Sequence, residues 1–132
     1  MRNRLCLLAL FTMLISLNSM KVYSQDAVEG IASALKDGNS GQLGKYLNRT
    51  VELEIIEDEN MYSKAQAELM LKDFFSKNEP TDFIVNHQGS KAETSFAIGI
   101  LVTSKGSFRV SIFMKSENDS MLIHQLRIER SD

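Results

Sequence analysis

The C-terminal half of the chain decides the fold, because its apolar and polar residues alternate over long stretches. It contains the segments TDFIVNHQ (81–88), ETSFAIGILVTS (93–104), SFRVSIFMKS (107–116) and SMLIHQLRIER (120–130). Apolar residues at every second position are typical of β-strands, whose successive side chains point to opposite faces. The short breaks between the segments contain Gly, Asn, Asp and Ser, which favour tight turns. These segments therefore predict a meander of consecutive antiparallel strands.

Upstream of the meander, apolar residues recur at the helical spacing i, i+3, i+4, i+7. This spacing predicts a helix over 26–38, a shorter helix beginning at Ser40 and a third helix over 63–78. Between the second and third helices, residues 50–55 alternate apolar and charged residues, which predicts a strand followed by an acidic loop at 57–59. The order α-α-β-α-β-β-β-β indicates a single α+β domain whose helices pack on one face of an antiparallel sheet.

The N-terminus has the pattern of a secretory signal peptide. Basic Arg2 and Arg4 precede an apolar run of about a dozen residues, which is too short to span a bilayer of roughly 30 Å as a helix. We interpret residues 1–24 as the signal peptide, cleaved between Ser24 and Gln25, and 25–132 as the mature domain. An uncleaved membrane anchor is the alternative. Cleavage predicts a periplasmic or secreted protein with no membrane span.

Composition excludes several function classes for the mature domain. The single cysteine, Cys6, lies in the signal peptide, so the domain has no disulfide, thiol nucleophile or thiolate metal ligand. The full chain has 15 Lys and Arg against 17 Asp and Glu, and the signal peptide carries basic residues only. No stripe of Lys or Arg is present, so binding to nucleic acid is not expected.

Three stretches carry a resemblance to a known family. MYSKAQAELMLKDFFSKNEP (61–80), AIGILVTSKGSFRV (97–110) and IHQLRIE (123–129) resemble small secreted Bacteroidetes proteins of domain-of-unknown-function family 4783. The similarity covers roughly residues 26–130. It implies a nuclear transport factor 2-like, or cystatin-like, fold in which a long curved antiparallel sheet wraps around helices as a cone.

The resemblance implies export but transfers no catalytic residue, because the family has no assigned activity. Elsewhere in the superfamily the sheet and helices enclose a conical pocket. Some of those proteins are isomerases, dehydratases or hydrolases, whereas many others bind ligands or partners only.

His124 is the main candidate for chemistry. Strict alternation places it on the face of Leu122, Leu126 and Ile128, and the same rule places His87 toward the helix-covered side of its own strand. Each histidine is therefore either a pocket residue or a core residue with a polar tip.

Acid–base chemistry would need a buried carboxylate whose pKa is raised toward neutrality. Strict alternation places the strand acids Glu52, Glu54, Asp82 and Glu129 on outward faces, so catalysis is not the favoured hypothesis. Zinc normally takes three or four protein ligands. No His-x-His pair, His-x₃-His pair or cysteine pair exists in the mature chain, so neither a metal nor another cofactor is expected.

Two groups of residues are candidates for binding. Aromatic and imidazole side chains expected to line a pocket are His124, His87, Phe74 and Tyr46. Residues expected on the outer sheet face are Arg109, Phe113, Gln125 and Arg127, whose aromatic and guanidinium character suits an interface. Proteins of this superfamily often form dimers through that face, so the resemblance implies a possible homodimer.

The tripeptide Asp119-Ser120-Met121 resembles the short O-glycosylation sequence of exported Bacteroidetes proteins and falls in a predicted turn. Ser120 is therefore a candidate modification site.

Three hypotheses of function follow. The favoured one is a non-catalytic exported domain that binds a small apolar ligand or a protein partner. The first alternative is a pocket enzyme of the isomerase, dehydratase or hydrolase type, with His124 as general base. The second alternative is an accessory structural domain of the cell envelope, with an envelope protein as partner. A cavity that reaches His124, with a second polar group near it, would favour the enzyme.

Overall fold

The computed structural model describes residues 25–131, so the predicted signal peptide lies outside the described part of the chain. The first helix, α1, runs through residues 25–37. The other helices are α2 (Ser40–Gly44) and α3 (Lys64–Lys77). The strands are β1 (Leu47–Ile55), β2 (Asp58–Ser63), β3 (Pro80–Lys91), β4 (Thr94–Thr103), β5 (Gly106–Glu117) and β6 (Ser120–Arg130). No helix within residues 25–131 is long and apolar enough to cross a membrane.

The predicted α+β architecture is confirmed. The strands form one sheet in the order β2-β1-β6-β5-β4-β3, so the C-terminal meander supplies four of its six strands. The sheet is mixed, because β1 pairs in parallel with β6 while every other pair of neighbouring strands is antiparallel. A parallel pair needs a long crossover connection, and the segment from β2 through β5 supplies it.

The acidic segment after β1 differs from its prediction as a loop. Ile56 and Glu57 form a two-residue turn with positive φ of 45° and 71°, and the next six residues pair with β1 as strand β2. Positive φ at both turn positions matches the right-handed twist of a hairpin. Because β2 lies at the sheet edge and is almost wholly exposed, it carries no apolar alternation that would reveal a strand.

Helix α3 begins at a capping box formed by Ser63 and Gln66. The Ser63 hydroxyl accepts a hydrogen bond from the Gln66 backbone N–H at 3.3 Å, and the Gln66 side chain accepts one from the Ser63 N–H at 3.3 Å. The helix then packs on the sheet through Phe74, whose ring lies edge-on to that of Phe108 on β5 with centroids 5.1 Å apart. This contact joins the helical layer to the sheet.

The core lies between the helices and one face of the sheet. Cross-strand pairing aligns Leu53, Leu126, Ile112 and Ala97 in one row on the four strands β1, β6, β5 and β4, and all four are buried. Residues in register across neighbouring strands have their side chains on the same face. This row therefore defines the helix-covered face, and the opposite side of the sheet is called the open face below.

Two β-bulges change which face some side chains occupy. In β6 the partner of Met114 is Ile123 but the partner of Phe113 is Gln125, so His124 is an extra residue. In β3 the partners of Gly99 and Ile98 are Val85 and His87, so Asn86 is extra. A bulge shifts the alternation by one residue beyond the point of insertion.

Candidate functional site

The bulge in β6 places His124 on the open face. Ile123, which pairs with Met114, is buried on the helix-covered face. Leu126, on the other side of the bulge, is buried on the same face. Gln125 opposes Phe113, whose side chain is 40% exposed. The prediction that His124 lies among Leu122, Leu126 and Ile128 on one face is therefore wrong, because strict alternation fails at an inserted residue.

A groove of about 530 Å³ lies on the open face and reaches His124. Its floor follows a row of cross-strand partners: Gly89, Phe96, Phe113, Gln125 and Glu52 on five neighbouring strands. The volume falls in the range of roughly 300–1,000 Å³ that is common for small-molecule sites. The row runs from an apolar side at β3–β5 to a polar side at β6 and β1.

The floor of the groove is aromatic. The Phe96 ring lies against the backbone of Gly89, where a Cβ atom would come within 2.7 Å of a ring carbon. Glycine at that position therefore lets the ring pack closely against β3 while 37% of Phe96 stays exposed. Together with Phe113, this ring leaves an apolar patch open to solvent, which is typical of interaction sites.

His124 and Glu117 form a polar pair at the edge of the groove. The His124 Nε2 lies 3.5 Å from Glu117 Oε1, a contact that is longer than an ordinary hydrogen bond. The Nε2 atom is itself buried and has no hydrogen-bond partner among the described residues. A buried polar atom without a partner is costly, so a small movement that brings the carboxyl closer would be favoured.

Sequence reasoning did not identify Glu117 as the partner of His124. Glu117 precedes the tight turn of the β5–β6 hairpin, and only the hairpin register together with the bulge brings it to the imidazole. No local spacing in the sequence signals such a pair.

A network of charged side chains lies beside the groove. The Arg127 guanidinium donates hydrogen bonds to Glu54 Oε2 at 2.6 Å and to Glu129 Oε1 at 2.9 Å. The hydrogen bond that Arg127 donates to Glu54 is the main cause that raises the pKa of Arg127. A hydrogen bond with Glu52 and repulsion from Glu54 raise the pKa of Glu59 above its ordinary value. The Arg127 guanidinium is therefore already bonded to two carboxylates of the sheet.

The four predicted pocket residues do not come together. Of these four residues, only His124 lines the groove on the open face. His87 is exposed on β3 and, because of the bulge, shares the face of its partner Ile98 rather than the helix-covered face predicted for it. Tyr46 lies over Gly30 of α1, where a Cβ atom would meet its hydroxyl, so its side chain packs between elements of the helical layer.

Phe74 is buried in the core and borders a second cavity of about 480 Å³. This cavity lies between α3 and the β1–β2 turn, with Ile55, Ile56, Leu69 and Met70 in its walls. None of the residues that line this cavity lines the groove on the open face.

The four predicted interface residues all lie on the open face. Phe113 and Gln125 line the groove, whereas Arg109 and Arg127 are paired in register with Glu129 and Ser111 outside it. Ser120 is exposed and follows a turn in which Asn118 and Asp119 have positive φ, as the prediction of a turn requires. Residues 25–131 contain no group of three or more His, Cys, Asp or Glu side chains placed to hold a metal ion.

Comparison with known proteins gives a match to one family. The model of a domain of unknown function, DUF4783, matches residues 28–129. A search of curated proteins gives no match.

Solved structures agree with the family match. The chain is 42% identical to a DUF4783 family protein from Bacteroides uniformis, with a TM-score of 0.77 over 79% of this chain and 96% of that one. It is 40% identical to one from Bacteroides ovatus, with a TM-score of 0.76 over 78% and 94%. The structure named Rd1NTF2_04 with long sheet is 13% identical, with a TM-score of 0.67 over 80% and 98%, a likeness that shows the fold alone.

Proposed function

This chain belongs to the DUF4783 family, a family of unknown function with a nuclear transport factor 2-like fold, and we propose that it acts by binding a small ligand with an apolar body in the groove on the open face. The observation that carries the proposal is the pair of exposed rings, Phe96 and Phe113, at the floor of that groove. Aromatic side chains in a concave site supply most of the binding energy of such ligands.

The proposal is tested with 2-naphthamide, a neutral aromatic probe small enough to enter a groove of about 530 Å³. A ¹⁵N–¹H NMR titration of the purified protein should shift backbone amides of β4, β5 and β6 around the groove. Replacing both rings, Phe96→Ser with Phe113→Ser, should weaken binding by about tenfold or more, because two aromatic contacts are lost.

The matched control is Ile84→Ser on edge strand β3. Ile84 is 50% exposed, pairs with Ile100 on the open face and does not line the groove. If the control and the double variant weaken binding of the probe equally, the groove is not the site. Shifts of backbone amide signals confined to α3 and the β1–β2 turn would reject the groove as well.

A second candidate function is proton transfer by His124, favoured by the carboxylate of Glu117 at 3.5 Å beside the open groove. A carboxylate that contacts one imidazole nitrogen orients the ring and stabilises its protonated form. His124 would then remove a proton from a carbon acid in the groove, as in isomerases and dehydratases.

Deuterium exchange tests this candidate. With 2-acetylnaphthalene in D₂O, His124 would take a methyl proton and a solvent deuteron would replace it, so the methyl signal should decline faster than in buffer alone. His124→Gln should abolish the acceleration, whereas His87→Gln should not, because His87 lies outside the groove. Exchange at the buffer rate would reject His124 as a general base.

The open face also supports binding of a protein, either a second copy of the chain or an envelope protein. Phe96, Phe113 and Ile84 are large apolar side chains exposed on that face, and a partner seated there would cover the groove. Sedimentation velocity at several concentrations distinguishes a homodimer from a monomer that leaves the groove open.

We also propose that the protein is exported with residues 1–24 removed, and that Ser120 carries a glycan. Intact-mass measurement of protein from the periplasm or medium should give an N-terminus at Gln25 and added sugar mass on the peptide that contains Ser120. An unmodified mass of the full chain would reject both.

A further inference from the structure

We infer that the ligand of the groove is a small organic monoanion, a carboxylate attached to an apolar body, and that Lys91 and Lys115 hold its charge. The inference rests on the proposed function of the groove and defines the chemical class of its ligand.

The two lysines belong to one cross-strand row at the edge of the groove. Lys91 of β3 pairs with Thr94 of β4, and Thr94 pairs with Lys115 of β5, so all three side chains share the open face. Neighbouring strands lie about 4.8 Å apart, which separates the two lysine Cα atoms by roughly 10 Å. Flexible four-carbon stems let both ammonium groups approach one anion placed between them.

The lysine row adjoins the aromatic floor. Along β4, Thr94 and Phe96 are two residues apart, which corresponds to about 7 Å. A ligand whose charged group is bound between the lysines therefore has its body over Phe96 and Phe113. The distance suits a carboxylate joined directly to a ring system or to a short chain.

Neither lysine has an intramolecular counter-ion in the described part of the chain. The ion pairs recorded for residues 25–131 join Lys77 to Asp73, His124 to Glu117, and Arg127 to both Glu54 and Glu129. The Thr94 hydroxyl donates to the Lys91 carbonyl oxygen at 2.9 Å, so it stabilises the turn. Two exposed ammonium groups are therefore left to attract an anion at this edge.

A carboxylate at the far end of the groove limits the ligand to one negative charge. Glu52 lies there, at the end of the floor row on β1. A second anionic group pointing toward β1 would meet this acid and be repelled. A neutral or hydrogen-bond-donating group is favoured at that end.

The test compares two probes with the same ring system and different charge, 2-naphthoate and 2-naphthamide, by the same NMR titration. Naphthoate should bind more tightly than naphthamide to the unaltered protein, and added salt should weaken naphthoate only. The double substitution Lys91→Gln with Lys115→Gln should weaken naphthoate by roughly fivefold, since exposed charge contacts are individually weak. It should leave naphthamide binding unchanged.

The matched control is Lys72→Gln with Lys105→Gln, which makes the same change in net charge at exposed positions outside the groove. Equal binding of the two probes to the unaltered protein would overturn the inference, and so would equal losses in the two lysine variants. In either case naphthamide binding that still depends on Phe96 and Phe113 would leave the groove itself supported. Failure of both probes to bind would overturn both proposals.

Discussion

The decisive residue in this protein is His124, because its position depends on a single inserted residue. Without the bulge it would lie between Leu122 and Leu126 on one face, and with it the imidazole faces the open groove beside Glu117. Gly89 has a comparable effect on the other side of the groove, since the absence of a side chain there allows the Phe96 ring to lie on β3. In both cases the backbone geometry at one residue determines where a side chain of the groove lies, and the residue types nearby do not indicate that geometry.

Replacing Gly89 with alanine should therefore disturb the floor of the groove. The new Cβ atom would lie 2.7 Å from a Phe96 ring carbon, so the ring must move away from β3. We expect binding of 2-naphthamide to weaken by about threefold while the fold is retained, because part of an aromatic contact is lost. NMR titration measures the affinity.

Gly41→Ala is the control for this substitution. A Cβ atom at Gly41 meets nothing closer than 3.5 Å, and the residue lies in α2, away from the groove. Unchanged affinity in Gly89→Ala, or equal changes in both variants, would show that the Phe96 position does not matter for binding.

At the scale of elements, hairpin β1–β2 shows how a strand forms without an apolar pattern. Its turn residues Ile56 and Glu57 both have positive φ, a conformation that costs a residue with a side chain about 1 kcal/mol or more. The hairpin nevertheless forms, because β2 pairs with β1 from Thr50 to Ile55. Pairing between the two strands thus outweighs an unfavourable turn sequence.

The substitution Glu57→Gly should raise the free energy of unfolding by about 0.5 kcal/mol. Glycine relieves the positive φ of 71° but also increases the entropy of the unfolded chain, so the gain is smaller than the strain removed. Urea denaturation followed by circular dichroism measures the change.

The matched variant is Glu93→Gly, an exposed turn residue whose φ is not positive. There glycine relieves no strain and should lower stability. If both substitutions lower it equally, the turn at Glu57 is not strained.

At the scale of the whole molecule, the two faces of the sheet differ in what they contact. The helix-covered face holds the buried core, in which Phe74 of α3 contacts Phe108 of β5. The open face holds the groove, with Phe96 and Phe113 exposed at its floor. If the groove binds the proposed ligand, stability and binding depend on different aromatic residues.

This division predicts opposite outcomes for two Phe→Ala substitutions. Phe74→Ala should lower the free energy of unfolding by about 3 kcal/mol, near the lower end for a buried aromatic because Phe74 borders a cavity. Phe113→Ala should change it by less than about 1 kcal/mol, since the side chain is 40% exposed. Urea denaturation measures both, and similar losses in the two variants would contradict the separation of roles.

The sequence by itself determined the α+β class, the C-terminal meander, the helix over 63–78 and the turn at Asn118–Asp119. These features depend on residues close together in the chain, where apolar period and turn propensity act directly. Only the tertiary structure decided that β1 lies parallel to β6, that β2 exists and that His124 faces the groove with Glu117. Each of these depends on which strands pair and in what register, and a parallel crossover, an exposed edge strand and a bulge all lack the regular apolar alternation that would reveal them in the sequence.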